Sequence, residues 1–387
     1  MSRISLVVKV TDACNMRCKY CYNGETGYTK KILTHENFKK IISILAKSYD
    51  EIVVIWHGGE PLTCGLEYYE EAVRIEEEVT FAYGTRLENH VQTNGTLIND
   101  AWVKFFKKHG FKVGMSFDGI HNDTYRGRTE ETLAAMELLK KNGIKFGTMA
   151  VVVDGDYDLI ANYNFFKEKK IPIEFSHMVS EGSGKNLQKL SADQYASATV
   201  ALFDHWLHDK EGVGVRTFLS YIILALGGPA KICNNASCHG KYLCITATGD
   251  LYNCSRHSIQ DYPFGNIENV STAEDIFASE GFMNLLRGSI ARRKTCKEIC
   301  EYFNLCQGGC ADIAITEGDI TTPPQYSCIC FRTVYPHVKQ AVSEIFENKT
   351  PLSELNPSVR EALMQCLGVT EAASLTLMPE RIVLKNE

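Results

Sequence analysis

No stretch of this 387-residue chain approaches the roughly 18 consecutive apolar residues that cross a bilayer. The opening apolar run, Ile4 to Val10, is too short for the core of a secretory signal and passes straight into polar Thr11 and Asp12. Positive charge is not in excess: 41 lysines and arginines face 47 acidic residues, leaving a net charge of -6. That balance argues against binding that rests on nucleic-acid or membrane phosphates. The lysine-rich stretches 104–108 and 167–170 break it only locally and read as solvated helix faces. Low-complexity segments and fixed-period repeats are missing as well. A cytoplasmic protein with neither a membrane nor a nucleic-acid partner is expected.

Cysteine, in contrast, is plentiful, with 15 residues. A reducing compartment disfavours a disulfide scaffold, and an odd, clustered set points to metal ligation. The length suits a core of about 200–250 residues plus a smaller module.

The first half alternates near-continuous apolar runs with amphipathic stretches. Strands are expected at Ile4–Val10, Ile52–Trp56, Leu87–Gln92, Lys112–Ser116, Lys145–Val152 and Ile173–His177. Helical spacing falls between them: Phe38, Ile41, Ile42 and Leu45 align within Thr34–Lys47. Asp100–His109, Thr132–Lys141 and Leu159–Lys169 show the same pattern. Six βα repeats predict an α/β fold, a partial (β/α)6 TIM-like barrel with its chemistry at the C-terminal strand ends. An open doubly wound sheet fits the same pattern. Past Gly227-Gly228-Pro229 the pattern breaks, and ten of the 15 cysteines fall between Cys233 and Cys330. That segment reads as turn-rich, poor in strands and dependent on metal for its cohesion. The expected division is 1–228 for the barrel, 229–335 for a cysteine-rich module, and 336–387 for a helix near Val338–Glu347 and a tail.

Cys14, Cys18 and Cys21 form C-x3-C-x2-C directly after the first strand. Three thiolates from one loop can hold three irons of a [4Fe–4S] cube and leave the fourth open to a small molecule. A fragment of a zinc site is the alternative, although structural zinc takes four ligands. The second strand ends in His57-Gly58-Gly59-Glu60-Pro61, the third in Gln92-Thr93-Asn94-Gly95, the fourth in Ser116-Phe117-Asp118-Gly119. Glycines allow close backbone approach, and a carboxylate beside them can accept hydrogen bonds from an ammonium group.

Cys14-Asn-Met-Arg-Cys18-Lys-Tyr-Cys21, with Tyr20 before the third cysteine, resembles the signature of the radical S-adenosylmethionine (SAM) superfamily. The resemblance implies that the open iron chelates the amino and carboxylate groups of SAM. It further implies reductive cleavage to a 5′-deoxyadenosyl radical that takes a hydrogen atom from substrate. Carried over, Tyr20, Gly58, Gly59, Glu60, Asn94 and Ser116 contact SAM, and either Arg126 or Arg128 pairs with its carboxylate.

The later cysteines run Cys238-x10-Gly249-x4-Cys254, then Cys296-x3-Cys300-x5-Cys306-x3-Cys310-x17-Cys328. This order resembles the SPASM extension, named for subtilosin, PQQ, anaerobic sulfatase and mycofactocin maturation. It implies two auxiliary [4Fe–4S] clusters, one on Cys233, Cys238, Cys254 and Cys310, the other on Cys296, Cys300, Cys306 and Cys328. Cys244 is an alternative to Cys233, and x3 stands between Cys296 and Cys300 where the family usually has x2. Cys64, Cys330 and Cys366 have no assigned place, although Cys64 follows the SAM motif closely enough to meet substrate and Cys330 sits beside Cys328.

Members with this module mostly modify peptides or proteins, drawing electrons from a donor such as flavodoxin or ferredoxin. The layout is similar to the anaerobic sulfatase-maturing enzymes, which oxidise Cys or Ser to formylglycine. Their catalytic aspartate follows the Gly-x4-Cys cysteine, where this chain has Ser255, a poor base. The departure favours a maturase of ribosomally made peptides that forms a carbon–carbon or thioether cross-link. Only thirteen residues precede Cys14, so a separate peptide-recognition domain is expected to be absent or on another protein. A non-catalytic iron–sulfur electron carrier is the alternative of another class. No residue is assigned as the base.

Overall fold

The computed structural model describes residues 2–24, 30–230, 232–235, 237–256 and 258–367. Strand and helix alternate in the order read from the apolar periodicity. They run β1 (Arg3–Thr11), α1 (His35–Ala46), β2 (Glu51–Gly58), α2 (Leu66–Tyr83), β3 (Arg86–Thr93), α3 (Asp100–His109) and β4 (Lys112–Ser116). Next come α4 (Asn122–Tyr125), α5 (Thr129–Lys141), β5 (Phe146–Val152), α6 (Leu159–Glu168) and β6 (Ile173–His177). The six strands pair in parallel in the order 6-5-4-3-2-1, so all end on one face. The barrel stays open, because β1 pairs on its far side with a later strand rather than with β6. Helices α7 (Ala192–Leu207) and α8 (Arg216–Ala225) follow.

Local chemistry sets the element ends. Asn99 caps α3 by accepting from the backbone N–H groups of Ala101 and Trp102 at 3.0 and 3.1 Å. Trp102, Val103, Phe105 and Phe106 are buried, while Lys104, Lys107 and Lys108 face solvent as expected. The second lysine run is less free: Lys167 bonds Asp209 at 2.7 Å. Helix α2 carries six glutamates, which hide its periodicity, yet Tyr68, Tyr69, Ala72, Val73, Ile75 and Val79 are buried along one stripe. Glu76 lies in that stripe too, accepting from Asn89 Nδ2 at 2.6 Å, and Asn89 Oδ1 accepts from Trp56 Nε1 at 2.7 Å.

The cysteine-rich region differs from its expected turn-rich form. Strand β7 (Tyr242–Ile245) pairs in parallel with β1, and β8 (Asp250–Tyr252) and β9 (Gly265–Asn266) add antiparallel strands, so one nine-stranded sheet runs through barrel and module. Helices α9 (Ala273–Phe277), α10 (Glu280–Ile299), α11 (Phe303–Cys306) and α12 (Ala311–Thr316) follow. The buried stripe of α10 is Phe282, Leu285, Gly288, Ser289, Arg292 and Cys296. Its spacing is helical, but half its members are small or polar, so hydrophobic periodicity does not reveal it. Arg292 is 2% exposed and donates to the carbonyl of Gly308 at 2.9 Å and to that of Ile320, clamping the turn before Cys310.

The helix expected at Val338–Glu347 is α13, and it begins at Gln325. It continues through Pro336, carries Cys328 and Cys330, and passes across position 335, where the sequence places a boundary. A final helix, α14 (Pro357–Leu367), packs on α8, with Leu355 and Val359 fully buried. The tail beyond 367 lies outside the described residues.

Burial holds the Glu76 carboxyl at a pKa of about 8. A folded-state value above the unfolded one means the contribution is complete below the unfolded pKa of 4.5 and is lost as pH rises toward 8. Glu76→Gln is therefore expected to flatten the fall of Tm between about pH 5 and 8 and to raise Tm by a few degrees at pH 8, read by scanning calorimetry.

Candidate active site

The loop after β1 folds back over the strand ends. Cys21 donates its N–H to the Cys18 carbonyl at 3.1 Å, and Lys19 N–H reaches the Tyr125 carbonyl at 2.9 Å. The loop after β2 lies directly against it: Gly59 N–H donates to Thr11 O and Glu60 N–H to Ala13 O, both at 2.8 Å. A Cβ on Gly58 would sit 2.3 Å from Thr11 O, and one on Gly59 2.2 Å from Ala13 O. The two glycines thus permit close approach of the chain to itself, holding the cysteine loop down on the barrel.

Glu60 is 1% exposed and pins the ends of β2 and β3 together. It accepts from Leu62 N at 3.1 Å and Thr93 Oγ1 at 2.7 Å on one oxygen, and from Asn94 N at 2.8 Å on the other. Asn94 Nδ2 donates in turn to Asn15 Oδ1 at 2.8 Å, inside the cysteine loop. Ser116 Oγ accepts from Gln92 Nε2 at 2.8 Å. Arg126 Nη1 donates to Tyr20 OH at 2.9 Å, and that hydroxyl donates to Asp118 Oδ2 at 2.7 Å.

These groups line a cavity of about 300 Å³ at the C-terminal strand ends. Cys14, Cys18, Cys21, Tyr20, Gly58, Gly59, Glu60, Asn94, Ser116 and Arg126 all face it. Arg128 does not: it is exposed, holds a left-handed backbone at φ 55° and pairs with Glu131 at 3.1 Å. Cys64 is absent from the lining and packs against the hydrophobic core. The sequence left unweighed Tyr22, His57, His177 and Arg256, which also line the cavity, and Ser255 of the module faces it beside them. His177 ends the sixth strand, a position that barrel geometry alone marks as chemical.

Burial makes several of the thiols hard to ionise. It raises Cys14 and pushes Cys18 to about 11 and both Cys254 and Cys328 to about 12. Such a donor set suits a strongly cationic group that supplies the missing charge. Among the described residues no three His, Cys, Asp or Glu side chains converge tightly enough for a single ion. Cys14, Cys18 and Cys21 line one cavity, and Cys296, Cys300, Cys306 and Cys328 line another, an arrangement that suits four-iron cubes.

Two further thiol groups sit in the module. Cys296, Cys300, Cys306 and Cys328 surround a cavity of about 90 Å³. The x3 spacing has a plain cause: Cys296 lies in the last turn of α10 and Cys300 caps it, its N–H on the Cys296 carbonyl at 3.0 Å. Positions four apart on a helix share a face, so both thiols meet the same cavity. In the other group, Cys233 is an electrostatic neighbour of Cys238 and of Cys310, and Cys238 of Cys254. Asn253 Nδ2 lies 3.2 Å from Cys238 Sγ. Cys244 is fully buried on β7, across from Val7 and Tyr252, and its neighbours are Lys9, Cys254 and Asp12. Cys330 points toward the Ala192 carbonyl of α7 at 3.7 Å, away from Cys328 and its cavity.

Residues 8–159 match the Radical SAM superfamily, and residues 233–307 match SPASM, an iron–sulfur cluster-binding domain. The chain is 30% identical over 345 residues to the serine-type anaerobic sulfatase-maturating enzyme of Bacteroides thetaiotaomicron, covering 79% of this chain and 81% of the relative. It belongs to the radical SAM superfamily. The cysteine-type anaerobic sulfatase-maturating enzyme of Clostridium perfringens (strain 13 / Type A) is 25% identical over 376 residues, 90% of this radical SAM chain and 100% of that relative. The solved structure of native anSMEcpe with bound AdoMet and Cp18Cys peptide matches with a TM-score of 0.75 at 25% identity, covering 89% of this chain and 99% of that one. Streptococcus suis SuiB bound to precursor peptide SuiA shares the fold at a TM-score of 0.58 and 15% identity, covering 83% and 74%. The radical SAM and SPASM units imply [4Fe–4S] clusters and SAM as cofactors, and the partial barrel followed by a SPASM module is the fold expected. The protein is a radical SAM enzyme.

The two candidates for the same ligand position separate in one assay. After anaerobic reconstitution, Cys233→Ala is expected to lose one cluster's iron and Cys244→Ala to retain the wild-type content, counted by iron analysis.

Proposed function

We propose that this radical SAM enzyme oxidises a side chain of a peptide or protein by two electrons, and that in a ribosomally made peptide the product is a carbon–carbon or thioether cross-link. The observation that carries it is the cavity between the three-thiol loop and the module wall formed by Ser255 and Arg256, which joins a radical source to a potential electron acceptor. The radical SAM structure matched along 99% of its length binds AdoMet together with a peptide, which supports a peptide substrate here. Ser255 lacks the carboxylate that formylglycine formation is expected to use, which favours cross-linking. The second reading, formation of Cα-formylglycine in a sulfatase, is favoured by the sulfatase-maturating enzymes among the relatives.

In this reading Cys14, Cys18 and Cys21 hold the SAM-binding cluster, and the unit through residue 228 generates the radical. The module of residues 229–335 holds two auxiliary clusters on Cys233, Cys238, Cys254 and Cys310 and on Cys296, Cys300, Cys306 and Cys328. Bound, the first cluster and SAM supply a 5′-deoxyadenosyl radical that takes a substrate hydrogen atom, with a flavodoxin or ferredoxin as the source of electrons.

The chain's own residues position the parts. Glu60 and Asn94 brace the cysteine loop against the strand ends, and Arg126 offers a cation for the SAM carboxylate. Tyr20 and Asp118 orient that guanidinium. The loss of one charge-assisted pair costs about 1.5–3 kcal/mol. Arg126→Ala is therefore expected to weaken SAM binding by at least about 10-fold by calorimetry, and Arg128→Ala to leave it within about 2-fold.

The reading itself is tested by mass spectrometry of cysteine- and serine-containing peptides, including neighbouring precursor peptides and sulfatase segments. A cross-linking enzyme removes a pair of hydrogens and leaves no aldehyde for a hydrazide probe to capture. Capture of an aldehyde establishes formylglycine instead, and absence of 5′-deoxyadenosine under reducing anaerobic conditions leaves only an electron carrier.

A further inference from the structure

Two-electron oxidation takes from a substrate a hydrogen atom, a proton and an electron, so the cavity must offer the proton an acceptor. Few of its side chains can. Arginine has no acceptor atom. Burial raises the Tyr20 and Tyr22 hydroxyls above their ordinary range, so both stay protonated. The Glu60 carboxylate is occupied by three donors that tie the strand ends together. His57 is neutral, held at about 4 by burial first and then by the Lys9 and Arg256 cations. Its Nδ1, however, accepts from Gly58 N–H at 2.8 Å, which places the ring proton on Nε2 and makes that edge a donor.

His177 is different. It ends β6 at the mouth of the barrel and lines the cavity. Its ring is held by packing, with Tyr326 of α13 at 4.7 Å and Tyr195 of α7 at 5.6 Å between centroids. No hydrogen bond among the described residues engages its ring nitrogens. Burial first, then the Arg256 and Lys189 cations, lower its pKa to about 3, so the ring is neutral at physiological pH and carries an unused lone pair.

We propose that His177 is the proton acceptor of this oxidation, in contact with the substrate group that loses its proton. The inference rests on the two-electron reading above and holds for the thioether and formylglycine products, in which a heteroatom bonds the radical carbon. The substrate C–H bond breaks and its hydrogen atom joins the 5′-deoxyadenosyl radical, giving 5′-deoxyadenosine. An O–H, S–H or N–H bond of the substrate then breaks, and its proton goes to the His177 imidazole. The heteroatom's electron pair makes the new bond to the radical carbon. The one excess electron reduces an iron–sulfur cluster held by the module's thiols. A ring with so low a pKa is a weak base, but an X–H group on or beside a carbon radical is far more acidic than the parent group, because electron loss completes the product bond.

The holoenzyme with a peptide that the wild type oxidises provides the test, using His177→Gln and His177→Ala. His177→Gln is expected to bind that peptide within about 3-fold of wild type and to keep forming 5′-deoxyadenosine that carries deuterium from a labelled peptide. Product per 5′-deoxyadenosine should fall on the order of 100-fold, the scale of a lost general base. Added imidazole should restore part of the product in His177→Ala. A readout apart from turnover is carbethoxylation of His177 by diethyl pyrocarbonate, mapped by mass spectrometry, which bound peptide should block. Unchanged product per 5′-deoxyadenosine, a parallel fall of peptide affinity, radical transfer and product, or carbethoxylation indifferent to peptide each overturns the inference while the two-electron reading stands. A wild type that oxidises no peptide overturns that reading and the inference with it.

Discussion

A thiol taken out of water resists ionisation, and this chain takes many out of water at once. Cys18, Cys254 and Cys328 are all pushed to about 11 or 12 by burial, in three separate groups. Opposing that cost requires positive charge placed among the sulfurs, which iron–sulfur clusters provide. The same need explains why metal and fold are one problem here. Hydrogen bonds at Glu60, Asn94 and Arg292 fix the course of the cysteine loops, and a cluster at their centre offsets the cost of burying the thiols.

The scaffold around those groups is built to keep them in fixed relation. One sheet runs from β6 through β1 to β9, so the SAM-side loop after β1 and the module strand β7 share a neighbouring pair of hydrogen-bonded strands. Cys254 follows β8 closely, and Ser255 and Arg256 reach from there into the barrel's mouth. Helix α13 then returns along α7 and α8, bringing Tyr326 against His177 at the opposite wall. Barrel and module therefore enclose the cavity jointly, and substrate entering it meets residues of both.

Much of this was legible in the sequence because β1 and β2 are buried along nearly their whole length and the other barrel strands bury alternate residues, so each reads as an apolar run. All six begin and end within two residues of their expected limits. The cavity lining was legible too, since barrel geometry places strand ends together. What escaped was written in residues that hydrophobicity does not score. Helix α10 buries Gly288, Ser289 and Arg292, and α2 hides its stripe among glutamates. Helix α13 begins beside Pro324 and continues past Pro336, so its first half read as loop. The choice between Arg126 and Arg128 depended on a turn: Arg128 enters α5 in a left-handed conformation and swings to Glu131, which leaves Arg126 facing the cavity. The glycines after His57 were read as room for a ligand; they line the cavity and also make room for the chain's own backbone.

The central claim is that three half-buried thiols hold a cluster whose remaining iron binds SAM directly. Electron–nuclear double resonance on the reduced holoenzyme, with SAM labelled by nitrogen-15 at the amino group and oxygen-17 at the carboxylate, tests it most directly. The account predicts hyperfine coupling of both labels to the cluster of Cys14, Cys18 and Cys21. Labels that show no coupling to any cluster, at SAM concentrations that saturate binding, would contradict it.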